Sequence, residues 1–222
     1  MPIVVRTVAD MRAHVAKWHS EGLKVALVPT MGALHEGHLT LVREGFKCAD
    51  KVIVTIFVNP KQFAAHEDLG KYPRTEEQDV ELLAAEKADL VFAPDALEMY
   101  GSNFATQVHM EGPALAGLED KFRPHFFDGV ATVVSKLFIQ SQTDFAMFGE
   151  KDYQQLMVVT HMARDLNIPI EVVPVATVRD DDGMAKSSRN RYLSKHERHQ
   201  ATSIIRALES AAKKIRSGGD AQ

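Results

Sequence analysis

"LKVALVPTMGALHEGHLTLV", residues 23–42, decides how the chain is read. A compact apolar run ends at Pro29 and Gly32. Two histidines three apart, His35 and His38, follow with Gly37 before the second. An apolar run of this length, bounded by turn residues, suits a strand buried on both faces, as parallel strands are. Residues 38–50, "HLTLVREGFKCAD", place apolar side chains at 39, 41, 42 and 46, closer to helical than to strand spacing. A strand therefore turns directly into a helix.

The alternation continues along the chain. "KVIVTIFVNP" (51–60) is a β-branched run closed by Asn-Pro, and "DLVFAPD" (89–95) is a shorter strand. Between them, residues 75–88 read as a helix, with Thr75 and Gln78 spaced as a capping pair and acids in the first turn. Residues 129–140 predict a buried helix, 143–152 a strand breaking at Gly149, 153–167 a helix and 168–178 a strand. "SKHERHQATSIIRALESAAKKIRSG" (194–218) reads as one amphipathic helix with Ser194 as N-cap, Glu197 completing a capping box and Gly218 near its end. This order predicts an α/β fold, a Rossmann-like doubly wound parallel sheet over residues 1–178. Residues 179–222 form a small second domain that opens with a charged, Ser- and Gly-containing loop. Ligands of such sheets sit beyond the carboxyl ends of the strands. The polar strand ends "PTMGALHEGH", "FVNPKQF", "FGEKDYQQ" and "VRDDDGMAKSSRN" are therefore expected to meet at one edge.

Composition narrows the function. The chain has 222 residues with 45% hydrophobic side chains, enough for a sizeable core. Its 26 basic and 30 acidic groups give a formal net charge of −4, which argues against nucleic acid bound through bulk charge. Cys48 is the single cysteine, so neither an intramolecular disulfide nor a thiolate zinc cluster is available. The sequence shows neither a secretory signal nor an apolar run able to span a bilayer, and a cytoplasmic protein is expected.

Each motif admits more than one reading. His35 and His38 at i, i+3 lack the i, i+4 spacing of zinc peptidase helices and a third ligand. They either line a turn or sit at a helix N-terminus, where backbone N–H groups and the dipole favour a phosphate and imidazoles stabilise developing charge. No G-x-x-x-x-G-K-[ST] loop occurs. "AKSSRN" (185–190) offers Lys186, Ser187, Ser188 and Arg189, which suit a triphosphate or form a solvated basic loop. In "GEKD" (149–152), Lys151 has the reach for a phosphate and Gly149 lets a ribose approach the backbone; a charged turn is the plainer alternative.

Taken together these features become specific. The His-x-x-His helix start and the later Ser/Lys/Arg loop resemble the two signatures of HIGH-type nucleotidyl-transferring enzymes. "PTMGALHEGHLTLV", "FVNPKQF", "YPRT", "FRPHFFDGVATVVSKLF", "FGEKDYQQL" and "SSRNRYLS" together resemble the pantothenate synthetase (pantoate–β-alanine ligase) family, from about residue 3 to about residue 210. The resemblance implies ATP-dependent condensation of pantoate with β-alanine through a pantoyl adenylate, releasing AMP and pyrophosphate. It implies His38, His35 and Lys151 as catalytic groups. It implies Met31, His35, His38, Gly149, Lys151, Asp152, Lys186, Ser187, Ser188 and Arg189 around ATP, and Gln62 and Gln155 on pantoate. Magnesium is expected mostly on phosphate oxygens and water, with Asp79 as an outer contact. The family is dimeric, so a homodimer is expected. A nucleotidyltransferase with another acceptor, or an ATP-binding protein impaired in catalysis, are the alternatives.

The chain departs from the family pattern at three places. Arg123-Pro124-His125-Phe126-Phe127 stands where relatives have Arg-Pro-Gly-His-Phe, and a positive φ there would strain His125. Lys186 occupies a position that is often apolar. Relatives also continue past residue 222, so the C-terminal lid domain reads as truncated.

Overall fold

The computed structural model describes residues 1–63 and 68–219; positions 220–222 of the expected C-terminal domain lie outside the described residues. In chain order the elements are β1 (Ile3–Val5), α1 (Val8–Ser20), β2 (Val25–Thr30), α2 (Glu36–Cys48), β3 (Lys51–Ile56) and α3 (Glu76–Ala85). They continue with β4 (Leu90–Phe92), α4 (Ala96–Tyr100), α5 (Glu119–Phe122), α6 (Phe126–Ser141), β5 (Phe145–Gly149) and α7 (Tyr153–Asp165). The series ends with β6 (Glu171–Val175), α8 (Lys195–Ala201) and α9 (Ser203–Arg216).

The strands form one parallel sheet in the order β1-β4-β3-β2-β5-β6. β2 pairs with β3 from Val25↔Lys51 to Thr30↔Ile56, and with β5 at Ala26↔Phe145 and Leu27↔Ala146. The chain winds outward from β2 through β3 and β4, then restarts on the other side with β5. The point between β2 and β5 is thus the place where strand order reverses, and there a crevice opens at the carboxyl ends.

Alternation along β2 explains why both faces are covered. Val25 and Leu27 pack with Ile53, Phe92 and Phe148 against Met11 and Val15 of α1, Phe138 of α6 and Met162 of α7. Ala26 and Val28 pack with Val52, Val54 and Met147 against Leu39 and Val42 of α2 and Leu83 of α3. Two apolar faces on one strand give a near-continuous hydrophobic run, which is why residues 25–28 carry no polar alternation. Pro174 sits in β6, an edge strand, where a missing N–H breaks no ladder.

The structure departs from the sequence pattern in several elements, among them the short helices α4 and α5, which fall where the sequence assigns none. No element is assigned to β1 and α1 from the sequence; β1 is three residues long with Ile3 and Val4 exposed, too short to show a period. Thr75 caps no helical N–H by its side chain. The predicted helix over 194–218 is two helices, with Thr202 between them donating its hydroxyl to the His199 carbonyl at 2.8 Å, a local bond that competes with the helical ladder. Its capping box stands: Ser194 N–H donates to Glu197 at 2.8 Å and Glu197 N–H to Ser194 Oγ at 3.3 Å.

Gly129 of α6 fixes one wall of the crevice. A Cβ there would lie 2.4 Å from the Lys61 carbonyl oxygen, so only hydrogen lets α6 approach the one-turn segment Pro60–Gln62. Gly129→Ala is expected to destabilise the fold by about 1–3 kcal/mol through overpacking. Urea titration should show a lower midpoint with an unchanged slope. An unshifted midpoint would show that the two segments are free to separate.

Candidate active site

The site begins with the turn between β2 and α2. Gly32 and Ala33 both take positive φ, 79° and 52°. Ala33 is strained there, so surrounding bonds must hold it. Asp79 of α3 supplies them: its carboxylate accepts from the Ala33 N–H at 2.9 Å and the Leu34 N–H at 2.8 Å, and Thr75 donates to it at 3.2 Å. Asp79 is 1% exposed and lines neither cavity, so the outer magnesium contact expected of it gives way to a structural role beneath the turn. From the other side, Ser188 Oγ donates to the Ala33 carbonyl at 3.0 Å. Ser188 is buried by that bond and lines neither cavity, unlike Ser187.

The histidines close the start of α2. His35 is the N-cap, and its Nδ1 accepts from the Gly37 N–H at 3.1 Å. His38 Nδ1 accepts in turn from the His35 N–H at 3.3 Å. A ring whose Nδ1 accepts carries its proton on Nε2, so both imidazoles keep an Nε2–H for the cavity they line. The rings stack with centroids 4.1 Å apart. A Cβ on Gly37 would come within 2.9 Å of the His35 ring, which is why glycine stands between them. Burial, then the neighbouring Lys151, Arg191 and Lys186, pushes His35 down to about 4. Burial, then His35 and Lys151, pushes His38 down to about 3. Near neutral pH both are uncharged donors.

Around them the strand ends converge. A cavity of about 210 Å³ is lined by Met31, His35, His38, Gly149, Gln155 and Lys186, among others. A second, of about 770 Å³, continues it toward Ser187, Arg189, Arg123 and Tyr192. The two share Met31, Gln62, Lys151, Asp152 and Gln155, so they form one cleft. Of the predicted site residues, all except Ser188 and Asp79 line it. A Cβ added to Gly149 would meet nothing within 4 Å, leaving bare backbone at the end of β5. Lys151 pairs with Asp152 at 3.1 Å. Lys186 is ion-paired with Asp180.

Two residues that the sequence pattern does not single out orient Gln62. Asn59, 1% exposed, donates to Gln62 Oε1 and to the Gly129 carbonyl, each at 3.1 Å. Tyr100 donates its hydroxyl to Asn59 Oδ1 at 2.5 Å, fixing which way that amide faces. Gln62 is left with its amide nitrogen toward Met31 Sδ, at 3.0 Å. Asn59 stands in "FVNPKQF", so its motif is visible in the sequence. Tyr100 comes from α4, 41 positions away, and nothing local marks it. His125 precedes α6 at φ −100°, so the replaced glycine leaves no strain.

A doubly wound parallel sheet with paired imidazoles at a helix N-terminus, and cations and amides along the same cleft, defines a Rossmann-like enzyme that handles a phosphorylated ligand beside a small polar one. Known proteins resolve the class further. Residues 3–222 match the family model for pantoate-beta-alanine ligase, and the chain belongs to that family. It is 58% identical over 221 residues to the pantothenate synthetase of Bradyrhizobium sp. strain BTAi1, covering 100% of this chain and 78% of that protein. Identity to the pantothenate synthetase of Caulobacter vibrioides is 58% over 218 residues, 98% of this chain and 76% of the relative. A crystal structure of pantothenate synthetase from Thermus thermophilus superposes with a TM-score of 0.92 at 48% identity, covering 98% of this chain and 77% of that one. The pantoate-beta-alanine ligase of Francisella tularensis, complexed with beta-gamma ATP and beta-alanine, gives 0.87 at 32% identity, covering 94% and 80%.

The lowered histidines link the site to stability. Between their ordinary value of 6.5 and about 4, the unfolded chain binds protons that the folded rings refuse. Stability rises with pH wherever the unfolded state binds more protons, so this contribution is flat above pH 6.5 and is lost as pH falls below it. Urea midpoints at about pH 7.5 and about pH 5 should differ more for the native chain than for His35→Gln/His38→Gln. Equal pH dependence in both would show that these rings titrate normally.

Proposed function

We propose that the chain is an AMP-forming ligase that joins pantoate to β-alanine with cleavage of ATP. The observation that carries this reading is the convergence, in one cleft at the sheet's reversal point, of two neutral imidazole donors, two glutamines and several cations. Family membership supports it, as does the Francisella enzyme's complex with beta-gamma ATP and beta-alanine.

A free carboxylate is a poor acyl donor because oxide is a poor leaving group. In the first step a pantoate carboxylate oxygen bonds to the α-phosphorus and the bond to pyrophosphate breaks. In the second the β-alanine amine attacks the acyl carbon, loses a proton, and AMP departs with the bridging oxygen. Gln62 and Gln155 are assigned to pantoate hydroxyls and carboxylate. Half-buried amides of this kind discriminate because an analogue lacking a hydroxyl leaves them unpaired. His35 and His38 are assigned to phosphate oxygens. As neutral Nε2–H donors they stabilise charge developing at the α-phosphorus without holding pyrophosphate as tightly as cations would. Lys151, Ser187 and Arg189 are assigned to the triphosphate, and Met31, Gly149 and Asp152 to the nucleoside side. Ser188 is assigned to holding the turn.

Among the described residues no group of three His, Cys, Asp or Glu side chains is placed to hold a metal ion. Magnesium is assigned to the nucleotide substrate, on phosphate oxygens and water. We read residues 1–178 as the nucleotide- and pantoate-binding domain and 179–222 as part of a lid-side domain. A homodimer in the cytoplasm completes the reading. Among the described residues no helix is long and apolar enough to cross a membrane.

Incubation with pantoate, β-alanine and Mg-ATP should yield AMP and pantothenate in equal amounts; product no higher than in a heat-killed control would reject the ligase. His38→Ala is expected to lower kcat by about 10²-fold with a smaller effect on ATP affinity, the pattern of an interaction strongest in the transition state. Near-native turnover would return His38 to a purely capping role. Gln155→Ala should mainly raise KM for pantoate, and an effect confined to β-alanine would move it to the other acceptor.

A further inference from the structure

Lys186 stands in an unusual setting. It follows a tight hairpin, in which Asp180 N–H donates to the Met184 carbonyl at 2.8 Å and Arg179 and Ala185 bridge. Its own N–H donates to the Val178 carbonyl at 2.9 Å, so its backbone is pinned at the end of the strand region. Its side chain lines the same cavity as His35 and His38, and its ammonium pairs with Asp180.

Asp180 has a second cation. Arg198 of α8 donates to it at 3.0 Å, and also to both oxygens of Asp182 at 2.7 and 3.0 Å. The hairpin is further seated by Gly183, at φ 87°, where a Cβ would lie 3.0 Å from Ile205 of α9. Hairpin and helices are therefore tied together without Lys186. Removing the ammonium from Asp180 leaves that carboxylate paired with Arg198, so the exchange strands no charge. Lys186 is the long, flexible member of the network, and it is 33% exposed on its side chain, with Asp180 at 29% and Arg198 at 28%. An ammonium is a point charge that changes partner easily, unlike the forked guanidinium that stays behind.

We propose that Lys186 is a gated phosphate ligand: Asp180 restrains its ammonium in the free protein, a polyphosphate entering beside His35 takes it over, and Arg198 keeps Asp180 paired throughout. This rests on the reading that nucleotide phosphates lie beside His35. Asp180 and Arg198 are then positioning residues, and Asp180 competes with the nucleotide.

The signs of the mutational effects separate this from a structural role. Calorimetric titration with Mg-ATP should show Lys186→Met binding about three- to fivefold more weakly, the scale of a partly exposed charge pair. Lys186→Arg should bind more weakly than the native chain, because a guanidinium forks onto Asp180 and leaves it less readily than an ammonium does. Asp180→Asn should bind ATP more tightly by a similar factor, because the restraint is gone while the amide still accepts from Arg198. Lys186→Met/Asp180→Asn should match Lys186→Met alone. Weaker binding by Asp180→Asn, or a native affinity in Lys186→Met, overturns the gating while leaving the site reading intact. Failure of the native chain to bind Mg-ATP overturns that reading and the gating together.

Discussion

The carboxylate of Asp79 and the two backbone N–H groups it accepts from are what the site depends on. A chain that leaves a buried strand and starts a helix within a few residues exposes unsatisfied N–H groups inside the protein. Ala33 has to adopt a left-handed conformation to make the turn. Asp79 satisfies Ala33 and Leu34 and so over-determines a conformation that costs energy by itself. Everything downstream inherits this geometry: the N-cap at His35, the reciprocal bonds between the two histidines, and the direction in which α2 leaves the sheet.

That turn also sets the electrostatics. Placing both imidazoles at a helix N-terminus in a partly buried cleft with Lys151 and Lys186 nearby denies them protons. The cleft then contains cations beside neutral donors, which in the proposed reaction would draw in the polyanion and meet the reacting phosphorus respectively. Under the proposed mechanism the division would help pyrophosphate leave, since neutral hydrogen bonds hold an anion less tightly than charged ones. Ser188 connects the two halves of the arrangement by tying the Ser-Ser-Arg loop to the strained Ala33. The Ser-Ser-Arg loop and the histidine turn are therefore tethered to each other.

The surroundings of Gln62, proposed to face pantoate, are built differently. Gln62 has no charge to orient it and would be indifferent to which end of its amide faces the cleft. The hydrogen bonds from Tyr100 through Asn59 remove that ambiguity, and Gly129 lets α6 come close enough for its carbonyl to accept the remaining Asn59 proton. Burial enforces the orientation: Asn59 has no water available to it, so each of its bonds must be made within the protein.

The sequence by itself determined the order of the strands from β2 to β6 and of the longer helices α2, α3, α6 and α7 among them, because a two-sided buried strand leaves an unmistakable apolar run and those helices keep their period, whereas the short α4 and α5 left no pattern. It also determined which loops would line the cleft, since parallel strands release all their carboxyl ends at one edge. The tertiary structure alone decided the roles within those loops. Ser187 and Ser188 are neighbours of identical type, yet one faces the cleft and the other binds Ala33, a difference that arises from a partner 155 positions away. Asp79 has the look of a metal ligand in the first turn of a helix, and only the position of Ala33 and Leu34 reveals what it accepts. Tyr100 carried no local signal. Such contacts depend on where separate elements come to rest against each other, and a one-dimensional pattern holds no record of that.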